Sequence, residues 1–132
     1  KEKTYQNNTF PDLQEIISIF LQGQQNTPER ACFGVAGPVQ NNQVQMTNLD
    51  WCIDGRKIAE HFTIRQVMLV NDLVATAAGA VVLPADSLVT INQGHPVSGS
   101  AIGVLAPGTG LGQSFAVPMN KRLQPFPSEG GH

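Results

Sequence analysis

The order of apolar runs along this 132-residue chain predicts an α/β fold, a mixed sheet with helices packed on it. Two observations carry the prediction. Short apolar runs of strand length alternate with stretches of helical spacing through the first half of the chain. In the middle, Val67, Met68, Leu69 and Val70 run without polar alternation into Asn71 and Asp72, and helix formers follow at once (Leu73-Val74-Ala75-Thr76-Ala77-Ala78). An unbroken apolar run predicts a strand covered on both faces. Ligands of open α/β sheets gather outside the carboxyl ends of strands, which makes Asn71 and Asp72 the first candidates for a site. Asp is also a common helix cap, and taken alone the pair fits that reading better.

Taken in order, residues 1–6 read as the end of a strand and 7–9 as a turn. Pro11 predicts a helix start, with Thr9 or Phe10 near the cap. Leu13, Ile16, Ile17, Phe20 and Leu21 then fall on one helical face, which Gly23 ends. Residues 30–36 predict a strand broken by Gly37-Pro38. Asn41-Asn42 predicts a hairpin turn between 39–40 and 44–46. Residues 47–51 read as a loop, and Asp54 as the cap of a helix over 55–62 that buries Ile58, Ala59 and Phe62. Pro84 stops the helix that follows Asp72. Residues 87–92 predict a short strand, 93–100 a loop, and 101–105 and 114–117 a further pair of strands. The prolines at 118, 125 and 127 predict an irregular or edge segment over 118–127.

Composition narrows the function. Hydrophobic residues make up 41 % and charged residues 14 %, with a net charge of −2, so no basic footprint for nucleic acid exists. No apolar stretch reaches membrane-spanning length. Cys32 and Cys52 form no CxxC or zinc spacing, and no metal site is expected. Cys32 lies in an apolar strand, where a buried, inert thiol is expected. Two reduced cysteines fit a cytoplasmic protein.

Two further stretches carry chemistry. Gly108-Thr109-Gly110-Leu111-Gly112 joins two apolar strands. Glycines let backbone N–H groups turn towards an anion, and the Thr hydroxyl adds a donor. An ordinary hairpin turn uses glycine just as freely. The stretch is neither a Walker loop nor a dinucleotide fingerprint, since no Lys follows and no helix opens from it. Glu129 and His132 flank Gly130-Gly131, and both side chains could converge on one polyol. A solvated loop with two unrelated polar residues is the plainer alternative.

The ordered set is more specific than its parts. Asn71-Asp72 after a strand, then Gly108–Gly112 between strands, then Glu129-Gly130-Gly131-His132 resembles the bacterial-type glucokinases of the sugar kinase, actin and heat-shock-protein superfamily. Ala36-Gly37-Pro38, Met46-Thr47-Asn48 with Trp51, and Pro127-Ser128-Glu129 extend the likeness over nearly the whole chain. The resemblance implies a ribonuclease-H-like, actin/hexokinase-type fold. It implies that Asp72 is the catalytic base, that Asn71, Asp72, Glu129 and His132 bind glucose, and that Gly108, Thr109, Gly110 and Gly112 bind the phosphates of ATP. The family's first phosphate hairpin, an Asp-x-Gly-Gly-Thr stretch, has no counterpart here, nor has anything beyond the Glu-Gly-Gly-His stretch. The resemblance therefore implies a middle piece, inactive alone. Residues 1–83 would be most of a small domain and 84–132 the start of a large one, with a hinge near Pro84. Mg2+ would be held mainly by parts outside the chain, and a homo-oligomer is expected. Two other readings compete: a sugar-binding or regulatory relative without catalysis, and an unrelated α/β module in which Asp72 only caps a helix. A pure binder has no need of a base at Asp72, which counts against the former.

Overall fold

The computed structural model describes residues 2–46, 48–108, 110–120 and 122–128. They form two compact units, Lys1–Asn71 and Asp72–His132.

The first unit begins without a strand. Residues 2–6 are irregular and lead into a 3-10 turn at Asn7–Thr9, a departure from the strand expected over 1–6. Helix α1 spans Leu13–Leu21. Its cap is Asp12, not Thr9 or Phe10, and the Asp12 carboxylate accepts the Glu15 N–H at 2.9 Å. Asp outcompetes an apolar residue at this position because its oxygen satisfies an orphan N–H of the first turn. Strand β1 (Arg30–Val35) pairs in parallel with β4 (Gln66–Asn71), so that Val35 stands opposite Asn71. Between them, Asn41 and Asn42 form a two-residue turn, both with positive φ. The turn's second arm, β2 (Gln43–Gln45), pairs mainly with β3 (Cys52–Asp54), a strand that follows the predicted loop and ends on the predicted cap Asp54. The first arm keeps one bridge, Gln40 to Gln43.

Asp54 caps helix α2 (Gly55–Phe62) by accepting the Arg56 N–H, as its position before the amphipathic run predicts. Ile16, Ile17, Val35, Trp51, Ile53, Ile58, Val67 and Leu69 close one core. Ile58 is only 1 % exposed, and burying a side chain of that size contributes about 1.5–3 kcal/mol. The expectation that β4 is covered on both faces fails. Val67 and Leu69 are buried, but Met68 is 47 % exposed and lies beside Cys32, also exposed. The helical layer of this unit covers one face of β1–β4, and Cys32 is therefore not the buried thiol expected.

The second unit starts with helix α3 (Asp72–Ala80). A 3-10 turn at Ala85–Ser87 and an irregular, exposed stretch then replace the strand expected over 87–92. Strands β5 (Ile102–Pro107), β6 (Leu111–Met119) and β7 (Arg122–Ser128) form one antiparallel sheet in the order β5-β6-β7. Pro125 and Pro127 thus lie in an edge strand, β7, one of the two forms expected of this segment, whereas Pro118 falls near the end of the central strand β6. The sheets are separate and small rather than one mixed sheet. Helix α3 packs on the three-stranded sheet. Its alanines allow close approach, and Ala77 and Ala116 are both fully buried. The opposite face of that sheet is apolar and open. Leu105 is 67 % exposed and Phe115 is 40 % exposed, stacked on Phe126 at 5.7 Å.

Candidate functional site

Strand β4 runs through Asn71, and α3 begins at Asp72, so strand passes to helix with no loop residue. Asn71 is half-buried, and its side-chain amide donates to the Gly37 carbonyl at 3.3 Å. Parallel pairing with Val35 brings the end of β4 beside the Gly37-Pro38 break after β1. Asp72 is exposed. One carboxylate oxygen accepts the N–H of Leu73 at 2.9 Å, and its backbone carbonyl accepts the Thr76 hydroxyl at 2.9 Å.

The glycine-rich stretch is the hairpin between β5 and β6, as the flanking apolar runs predict. The Gly108 N–H donates to the Gly110 carbonyl at 2.8 Å. Gly112 opens β6 against the first turn of α3, and a Cβ there would come within 2.8 Å of Leu73. The Ser114 hydroxyl, on a buried residue, donates to the Leu73 carbonyl at 3.1 Å. A side chain at this position would have to push Leu73 aside, so glycine suits the close approach of β6 to the helix turn that carries Asp72. Thr109, Glu129 and His132 lie outside the described residues. Among the described residues, no three of His, Cys, Asp and Glu gather to hold a metal ion.

The structure thus joins Asn71 and Asp72 along the chain and brings the start of β6 onto α3. Two polar residues that sequence reasoning assigned no such role support these elements. Ser114 ties β6 to α3, and Asn42 ties the hairpin turn to β4. The only sequence signal for Asn42 is the Asn-Asn turn itself. Nothing in the spacing marks Ser114.

The fold of this chain is similar to that of a solved structure. The crystal structure of a glucokinase from an Antarctic psychrotroph matches with a TM-score of 0.85 and 34 % identity, over 98 % of this chain and 41 % of that one. Sequence relatives agree. Glucokinases of Trichormus variabilis and Synechocystis are 39 % and 40 % identical over 99 % of this chain, and that of Klebsiella pneumoniae is 30 % identical over 100 %. The family model described as Glucokinase matches residues 1–132. The chain belongs to the glucokinase family. It spans about two fifths (39–41 %) of the length of these relatives.

Proposed function

We propose that the full-length protein is a glucokinase, transferring the γ-phosphoryl group of ATP to the 6-hydroxyl of glucose, with the fold of the ribonuclease-H-like superfamily. In this reading Asp72 takes the proton of the 6-hydroxyl as its oxygen bonds to the γ-phosphorus. The bond from that phosphorus to the bridging oxygen breaks, and ADP leaves. Phosphoryl transfer is mainly positioning and charge stabilisation, so one aligned carboxylate suffices. Asn71, Glu129 and His132 would hold sugar hydroxyls. Gly108, Thr109, Gly110 and Gly112 would present N–H groups to the phosphates.

The observation that supports this most is the Gly112–Leu73 approach. It sets the start of β6, where the glycine hairpin ends, against the residue that follows the proposed base. A cap and an unrelated turn give no reason for that proximity. Mg2+ would arrive on the phosphates of the nucleotide. The two units would contribute to a small and a large lobe, parting between Asn71 and the hinge expected near Pro84. A cytoplasmic homo-oligomer completes the proposal.

The test is a phosphorylation assay of the full-length protein against a panel of hexoses and phosphoryl donors. Glucose 6-phosphate formed with ATP supports the reading. Glucose binding without transfer would turn it into the non-catalytic relative.

A further inference from the structure

We propose that Asn42 is a positioning residue for Asn71 and Asp72: its side-chain amide stands in for a missing strand along β4. This rests on the role of Asp72 given above. Among the described residues, strand β4 pairs with β1 along one edge and with no strand along the other. At that second edge the Asn42 amide nitrogen donates to the Val67 carbonyl at 3.0 Å, and its oxygen accepts the Leu69 N–H at 2.8 Å. This donor–acceptor pair is what a neighbouring strand would offer. Asn is suited because its side chain carries both a donor and an acceptor.

Two features hold the amide there. The backbone at Asn42 has φ 61°, a conformation Asn tolerates better than most residues, and this fits it to the turn. Its own carbonyl accepts the N–H of Gly55, the first residue of α2, at 3.0 Å. Gly55 also leaves the room the amide occupies, because a Cβ there would lie 2.3 Å from the amide nitrogen. Asn42 therefore binds the hairpin turn, the start of α2 and β4 at one point. Val67 and Leu69 are buried, so their backbone groups have no easy recourse to water if the amide is removed. The same strand ends at Asn71, whose amide is tied to Gly37. A strand held along both edges delivers its end to one place, and misplacement by about 1 Å can cost on the order of 100-fold in rate.

The experiment uses the full-length protein. Asn42→Gly keeps the positive φ and removes the amide. Gly55→Ala keeps Asn42 and pushes its amide away. Ile58→Val trims the same core, leaves the Asn42 amide in place and controls for lost stability. For each, kcat and KM for glucose are measured well below the melting temperature, and exchange of the Leu69 amide hydrogen is followed. Asn42→Gly and Gly55→Ala are expected to lower kcat roughly 10- to 100-fold, with KM moving less than about fivefold, and to speed Leu69 exchange. Ile58→Val should keep kcat within about twofold at a comparable loss of melting temperature. A folded Asn42→Gly protein with kcat within twofold of wild type overturns the proposal, as does unchanged Leu69 exchange. If the wild type itself fails to phosphorylate glucose, the function proposed above falls. The strand-holding role is then decided by Leu69 exchange alone, faster exchange supporting it and unchanged exchange refuting it.

Discussion

Asp72 combines an exposed carboxylate with a fixed backbone, its carbonyl taken by Thr76 and one side-chain oxygen by Leu73. Replacing it by Asn keeps the size and some of the hydrogen bonding but cannot accept a proton. Asp72→Asn in the full-length protein is expected to lower kcat by roughly 10²–10⁴-fold while glucose binding persists. Steady-state kinetics and calorimetric titration check the two halves separately. Glu129→Ala and His132→Ala should instead weaken glucose binding by about 1–3 kcal/mol each, through hydroxyls left unpaired on binding. Calorimetry reads that directly. Asn71 and Asp72 are legible in the sequence because an apolar run stops dead at two polar residues. Asn42 is not, because its partners Val67 and Leu69 lie far along the chain and are backbone groups, which leave no trace in residue identity.

Helix α2 shows an element whose start is electrostatic. Burial pushes the Asp54 carboxyl up, but the Arg56 N–H, the Arg56 guanidinium and the Gln43 amide together hold it below its ordinary value of 3.8. A carboxyl lowered by folding stabilises the fold above its unfolded value, and that contribution is lost as pH falls through the folded value. Asn caps a helix about as well as Asp, so Asp54→Asn removes the charge and keeps the cap. The gap in urea midpoint between wild type and Asp54→Asn is expected to be present at pH 7 and to close as pH drops below about 4. The meeting of α3 and β6 is steric instead. Gly112→Ala should force Leu73 aside and cost about 1–3 kcal/mol in urea unfolding, as overpacking does. Helices α1 and α2 are plain in the sequence because their faces repeat at helical spacing. Strand β3 is short and merges with the cap Asp54, and β7 is masked by its prolines, tolerated because it lies at an edge. The apolar residues over 87–92 read as a strand, yet they have no sheet to join and remain exposed.

At the scale of the molecule, the α/β class was readable from the alternation of runs, whereas the division into separate small sheets was not. Pairing partners are chosen by tertiary packing, and periodicity is silent about them. The open face bearing Leu105 and Phe115, and the unpaired strand edges, are surfaces that proteins usually cover. The 132-residue chain prepared alone is expected to grow in size with concentration, and light scattering across a dilution series checks this. Its affinity for ATP should be no better than millimolar. A hairpin's few N–H contacts must overcome several kcal/mol of lost rotational and translational freedom, and equilibrium dialysis measures the outcome. The direct passage from Asn71 to Asp72 has a further consequence, for how such a gene can vary. Insertions and deletions survive where a loop absorbs the change in length, and here strand meets helix with no residue between. In a library of single-codon insertions, this junction should stand as a gap in the tolerated positions, while the exposed stretch over 88–100 accepts them freely.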